Sequence, residues 1–329
     1  MSSPAKLTGF VAVLAVALVA SFGVGNAVGP GFDAEQGPGH SEGHDMNSSS
    51  GRESGQHGQP DAQSHLPGGL MISQDGYTLE LEESELKPRT RTVQFTIVDA
   101  DGDAVTDYVP NHEKDLHLIA VRRDATGFQH VHPTLDQFGT WSAQVDLNAG
   151  TWRSFADFQP SGADEPMTLG ADAHVAGEFA PEPAPTQSRT ATVGDYTVTL
   201  DGELTPGKES DLTLRVSRDG QPVTDLDPYL GAYGHLVALR SGDLAYLHVH
   251  PEGEPGDGTT TPGPEVTFSS TAPSAGTYRL FLDFKHEGKV HTAEFTATAA
   301  ATAGNDRAPA SPDPSSSATT SGGHGNQDH

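Results

Sequence analysis

The stretch HLIAVR at residues 117–122 recurs as HLVALR at residues 235–240, and the stretch HVHP at residues 130–133 recurs unchanged at residues 248–251. Both pairs share an offset of 118 residues, with no gap between the blocks. Chance does not preserve order, spacing and residue type together. The pattern is therefore typical of a duplicated domain.

Three further blocks extend the repeat in the same order along the chain. They are GYTLEL at 76–81 with DYTVTL at 195–200, DGDAVTD at 101–107 with DGQPVTD at 219–225, and GTWRSFADF at 150–158 with GTYRLFLDF at 276–284. The last block lies at an offset of 126 because the second copy has a longer loop near 252–264. The sequence predicts two copies of one domain, at 69–183 and 188–299.

Each copy shows about seven short runs of strand-forming residues separated by turn signals. In the second copy the run LTLRV at 212–216 has an apolar residue at every second position, which is typical of a half-buried strand. We predict an all-β chain with two tandem immunoglobulin-like antiparallel sandwiches. The Cys-Trp-Cys pattern of antibody domains is missing, so the prediction concerns the architecture only.

The ends of the chain differ from the repeats in composition. Residues 7–28 form an uncharged apolar run after Lys6, which predicts a membrane anchor or a signal helix and places the rest of the chain outside the cytoplasm. Gly, Ser, Pro, Asp and His dominate 29–68 and 300–329, so we expect a disordered linker and a disordered tail. The expected location is the cell membrane, with a single pass, or the exterior.

The charge and the motifs exclude several classes of function. Lys and Arg total 18 against 45 Asp and Glu, a net charge of −27, which argues against nucleic-acid binding and leaves the N-terminal segment as the only membrane contact. The chain has no cysteine, so it forms no disulfide and no thiolate metal site. No nucleophile motif, phosphate loop or dinucleotide-binding turn is present, and we expect a non-enzymatic protein whose protein partner is unknown.

Histidine supplies the sharpest functional hypothesis. Residues two apart on a strand share a face, so each His-x-His pair presents two imidazoles side by side. With no thiolates, the natural ions for such sites are copper(II) and zinc(II). The candidate ligands are His235, His248, His250 and His291 in the second copy and His117, His130 and His132 in the first.

The alternative interpretation assigns these histidines a purely structural role. His235 shares a strand face with Val237 and Leu239, which is typical of a core position. In that case the chain is a structural or adhesion module whose sandwiches present loops to a partner. Asp157 and Asp283 recur beside aromatic residues, and we expect each to be half-buried with a turn or an arginine as its partner.

The segment HLVALR at 235–240 followed by HVHP at 248–251 resembles a family of exported actinobacterial proteins of unassigned function. Their tandem β-sandwiches are similar to YtkA-like and periplasmic copper-handling domains. The resemblance covers about 69–299. It implies an extracytoplasmic sandwich linked to heavy-metal handling, and it supplies no proven ligand.

Overall fold

A computed structural model describes residues 66–247 and 249–300. The predicted membrane or signal segment at 7–28, most of the predicted linker, the tail beyond residue 300 and the single residue His248 lie outside the described residues. Among the residues that are described, no helix is long and apolar enough to cross a membrane.

The first copy contains ten strands. They are β1 (Ser73–Gln74), β2 (Tyr77–Leu81), β3 (Glu85–Leu86), β4 (Arg89–Val98), β5 (Leu116–Arg122), β6 (Gln129–Val131), β7 (Thr134–Leu135), β8 (Thr140–Leu147), β9 (Gly150–Phe158) and β10 (Met167–Val175). One sheet has the order β1-β2-β4-β8-β7 and the other has the order β3-β10-β9-β5-β6. The short β3 runs parallel to β10, and the other neighbours are antiparallel.

The second copy repeats this arrangement. Its strands are β11 (Thr190–Val193), β12 (Tyr196–Asp201), β13 (Glu209–Arg218), β14 (Gln221–Pro222), β15 (His235–Arg240), β16 (Tyr246–Leu247), β17 (Val249–Pro251), β18 (Glu265–Thr271), β19 (Gly276–His286) and β20 (Lys289–Ala299). One sheet has the order β11-β12-β13-β18-β17, with β14 paired to β13, and the other has the order β16-β15-β19-β20. The prediction of all-β, antiparallel, duplicated sandwiches is confirmed for the described residues.

Outer strands follow the simple period of two. In β4, Val93, Phe95 and Ile97 are buried and the intervening positions are more exposed. Alternation arises because successive side chains point to opposite faces, and only one face of this sheet covers the core.

The central strands β5 and β15 differ from this pattern. All seven residues of β5 are buried, because each face of the strand is covered. Leu116 and Leu118 pack into the core of the first sandwich, whereas Ile119 and Val121 belong to a separate apolar cluster. That cluster contains residues of both copies, so β5 lies between its own sandwich core and the second copy.

The cluster between the copies is built from equivalent positions. Phe128 of the first copy stacks on Phe281 of the second, with ring centroids 4.0 Å apart. Phe155 of the first copy packs on Tyr246 of the second, at 5.7 Å. The repeat offsets of 118 and 126 relate Phe128 to Tyr246 and Phe155 to Phe281. The interface therefore has the self-complementary form of a two-fold dimer, here within one chain.

The end of the predicted linker takes part in this interface. The backbone N–H of Tyr246 donates to the Gly68 carbonyl at 2.9 Å, and the N–H of Gly69 donates to the Thr168 carbonyl at 2.8 Å. Gly69 has a φ of +72°, and a Cβ there would collide with the ring of Phe155. The assignment of 66–68 to a disordered linker is therefore wrong, because these residues are ordered between the two copies.

We expect Phe281→Ala to destabilise the protein by about 3–5 kcal/mol, the usual cost of removing a buried aromatic ring. Phe281 is fully buried in the cluster between the copies. Phe138→Ala is the matched control, because Phe138 is 72% exposed and its loss should change stability by less than about 0.5 kcal/mol. Urea denaturation measures both, and equal effects of the two substitutions would contradict this interface.

Candidate metal centre

Three histidines from the two copies converge beside the apolar cluster. One ring nitrogen from each of His117, His130 and His235 lies within 4.8 Å of the other two. The rings of His117 and His235 are nearly parallel, with centroids 5.4 Å apart. The ring of His130 lies 5.2 Å from that of His117 and 4.6 Å from that of His235. The group therefore combines two ligands of the first copy with one of the second.

Strand register explains how the sequence positions this group. His117 is the second residue of β5 and lies opposite Asp157 of β9. His235 is the first residue of β15 and lies opposite Asp283 of β19. Directly opposed residues have their side chains on the same face of a sheet, so each copy brings a histidine and an aspartate to the interface.

His130 carries a contact that joins the copies. Its Nδ1 lies 2.8 Å from Oδ2 of Asp283, and both side chains are almost fully buried, at 1% and 3% exposure. The other oxygen of Asp283 accepts a hydrogen bond from the Thr292 hydroxyl at 2.6 Å. Asp157 receives the equivalent hydroxyl contact, from Thr168 at 3.2 Å. The two carboxylates thus occupy matching environments on the two sides of the interface.

The hydrogen bonds fix the tautomers of two neutral rings. His117 Nε2 lies 3.0 Å from the Asn111 carbonyl, which only accepts, so Nε2 carries the hydrogen. His130 Nδ1 faces the Asp283 carboxylate, so this nitrogen carries the hydrogen of the neutral His130 ring. The two remaining nitrogens, His117 Nδ1 and His130 Nε2, then face each other at 3.0 Å with lone pairs on both. A cation between them would turn this repulsion into binding.

A tight turn before β5 supplies the Asn111 carbonyl. The N–H of Lys114 donates to Asn111 at 3.1 Å, closing the turn. Its two central residues, His112 and Glu113, have φ values of 47° and 65°. The second copy forms the same turn with Leu230 and Gly231. Non-glycine residues rarely adopt this conformation, so the surrounding structure holds the first-copy turn in place.

Two more histidines surround the three. The ring of His112 lies 5.8 Å from that of His235. The ring of His132 lies 4.9 Å from that of His130, and its Nε2 is buried without a hydrogen-bond partner. Nδ1 of His235 is also buried without a partner. Buried ring nitrogens without partners are uncommon in proteins, and here they collect at one site.

Burial keeps these histidines neutral. It lowers the pKa of His117 to about 3 and that of His132 to about 4, and the neighbouring His130 lowers both further. The pKa of His235 lies well below the usual value for the same reasons. Burial raises the pKa of Asp157 to about 6. Near pH 7.5 the site therefore presents neutral imidazoles, which are the form that binds metal ions.

The geometry is close to that of a three-histidine metal site. A tetrahedral zinc ion with bonds of 2.0–2.1 Å holds its nitrogen ligands about 3.3 Å apart. The widest separation in the cluster is under 4.8 Å, so the rings would need to move together by at most about 1.5 Å. The donor set of three imidazoles suits zinc(II) and copper(II).

The other predicted ligands lie elsewhere. His250 is exposed on β17, in the sheet away from the interface. His291 stacks on Phe284 and lies 4.5 Å from the ring of Tyr196, within a separate group at the far end of β19 and β20. His248 lies outside the described residues. The expectation of one centre within each copy thus differs from the cluster, whose members come from both copies.

Sequence reasoning missed the role of the two aspartates. The predicted arginine partners are wrong: Arg153 pairs with Asp172, and Arg279 pairs with Glu294. The available signal was the recurrence of Asp157 and Asp283 four residues after those arginines on strands that also carry the interface aromatics. His112 carried no repeat signal, because Leu230 occupies its position in the second copy.

A pocket of about 270 Å³ opens at the seam between the copies. Asp157 and Thr168 line it from the first copy, Tyr246 from the second and Gly68 from the segment between them. It gives solvent a route to the Asp157 side of the interface.

A family model matches the chain twice, at residues 72–175 and 191–301, and its description is a domain of unknown function, DUF8832. The chain belongs to the DUF8832 family. The two matches correspond to the two sandwiches, so the internal repeat is confirmed. No curated protein sequence matches the chain.

Three solved structures illustrate what DUF8832 in this chain is similar to. Salmonella alpha-2-macroglobulin has 15% identity over 71% of this chain and 15% of its own, with a TM-score of 0.23. Invasin, a bacterial integrin-binding protein, has 12% identity over 67% of this chain and 39% of its own, with a TM-score of 0.20. Domains 5–6 of the S-layer protein SbsC have 10% identity over 68% of this chain and 97% of their own, with a TM-score of 0.20.

We expect the metal-free protein to lose stability as the pH falls from 7 to 5. The unfolded chain protonates His117, His132 and His235 near pH 6.5, whereas the folded chain does not, because their pKa values are lowered. Asp157 opposes this trend, since its raised pKa makes the folded state bind a proton first.

Three histidines outweigh one aspartate, so unfolding should take up roughly two protons from these groups near pH 5, about 1.4 kcal/mol per pH unit for each. Urea titrations at several pH values measure the slope. His235→Gln should reduce it by about one proton, and a slope that this substitution leaves unchanged would contradict the buried neutral assignment.

Proposed function

We propose that this chain is a non-enzymatic protein of the cell envelope that binds one zinc(II) or copper(II) ion between its two sandwiches. His117, His130 and His235 are the proposed ligands. The immunoglobulin-like topology and the export of the chain through its N-terminal segment are part of the same proposal, and they rest on the sequence.

The observation that carries the proposal is the set of nitrogens left without donors. His117 Nδ1 and His130 Nε2 face each other at 3.0 Å, and His235 Nδ1 is buried without a partner. An added proton would satisfy the first pair only. A metal ion would bind all three rings at once, since it accepts several lone pairs.

The contacts around the rings are those that orient metal ligands in proteins. A ligand histidine usually donates its second N–H to a carboxylate or a carbonyl, which fixes the tautomer and raises the basicity of the ligand nitrogen. His130 has Asp283 in this role, and His117 has the Asn111 carbonyl. The two rings are therefore held with their free nitrogens towards the centre of the group.

The second candidate function is a structural or adhesion module. The apolar cluster already joins the two copies, and the His130–Asp283 contact adds a polar link between them. In this alternative the histidines only stabilise the interface. Zinc affinity would then come from the tails, and substitutions in the cluster would change stability alone.

Zinc titration of the full chain by calorimetry at pH 7.5 separates the two functions. We expect His117→Ala and His235→Ala each to weaken the tightest binding about 100-fold or more, because each removes one of three ligands. His174→Ala is the control, since His174 is exposed on β10 and contacts only Thr151 among its printed partners.

Two results would contradict the proposal. In the first, the cluster variants lower the free energy of unfolding of the metal-free chain and leave zinc binding unchanged, which supports the structural function. In the second, two ions bind per chain and each is lost only with the histidines of its own copy.

A further inference from the structure

The interface carries more negative charge than three histidines require. Asp157 and Asp283 are both buried, at 9% and 2% exposure, and each lies in register with one of the proposed ligands. The histidines add no positive charge when they are neutral. A metal ion bound there would face two carboxylates that do not themselves contact the cluster as ligands.

Other charges on the same faces are already paired. Arg153 contacts Asp172 and the Gly69 carbonyl, and Arg279 contacts Glu294 and the Thr296 hydroxyl. Both arginines lie four residues from the aspartates along β9 and β19, about 13 Å away on a strand. They are therefore engaged at the opposite end of the interface.

Charge balance then depends on the ion. Three neutral imidazoles and two carboxylates carry a formal charge of −2, which a divalent ion neutralises. A monovalent ion of the same ligand preference leaves one negative charge in a buried apolar interface, where uncompensated charge is costly.

We infer that Asp157 and Asp283 are a matched pair of specificity-determining residues that make the three-histidine centre select divalent over monovalent metal ions. This inference rests on the proposed function and deepens it. Asp283 acts through His130, to which it is hydrogen-bonded, and through its charge. Asp157 acts through its charge from the strand beside His117.

Asparagine is the suitable replacement at both positions. Its side-chain carbonyl still accepts from the His130 N–H at position 283 and from the Thr168 hydroxyl at position 157, so the shape and the tautomer are kept while the charge is removed. Asp211→Asn is the control, because Asp211 is exposed on β13 in the outer sheet. Asp157→Glu retains the charge and should retain the selectivity.

The test compares zinc(II) with silver(I), a monovalent ion, on the full chain by calorimetric titration at pH 7.5 and constant ionic strength. Asp157→Asn and Asp283→Asn should each weaken zinc binding by about 10-fold to 100-fold and silver binding by a clearly smaller factor, so the zinc preference falls. Asp211→Asn should leave both affinities unchanged.

Equal factors for zinc and silver, or unchanged affinities for both, would overturn the inference while leaving the three-histidine site in place. A wild-type chain that does not bind zinc through His117 and His235 would overturn the proposed function and this inference with it. Thermal melts of the metal-free variants check folding. If Asp157→Asn does not fold, the comparison of Asp283→Asn with Asp283→Glu decides the question.

Discussion

The face that β5 and β15 turn towards each other is the constraint on which the rest of the structure depends. Each strand has one face in its own sandwich core and the other against the second copy, and the equivalent residues Ile119 and Val237 meet in the shared cluster. Because the strand period is two, the same face also carries His117 and His235. Packing of the apolar residues therefore brings the two imidazoles together.

The polar part of this interface works because burial and pairing act in the same direction. Burial disfavours the charged form of an imidazole, which lowers the pKa of His117 and His235. Asp283 stays in contact with His130 and Thr292. The site therefore has neutral nitrogens with nearby carboxylates, and a divalent ion complements it in both ligand type and charge.

Much of the fold could be predicted, because the repeat and the strand alternation are local signals. The site was predicted only in part. His117, His130 and His235 were among the candidates, yet the face of His235, Val237 and Leu239 was interpreted as a domain core. A continuous apolar run such as HLVALR does not say which of its two covered faces meets another domain. The contact of His130 with Asp283, 153 residues away, depends on docking of the copies.

The most direct measurement is the crystal structure of the zinc-loaded full chain, with the ion located by its anomalous scattering at the zinc edge. The account predicts one strong peak between the two sandwiches, about 2.0–2.1 Å from a ring nitrogen of each of His117, His130 and His235. Zinc bound only within one sandwich, or an interface with no peak and with the three rings placed as they are now, would contradict it.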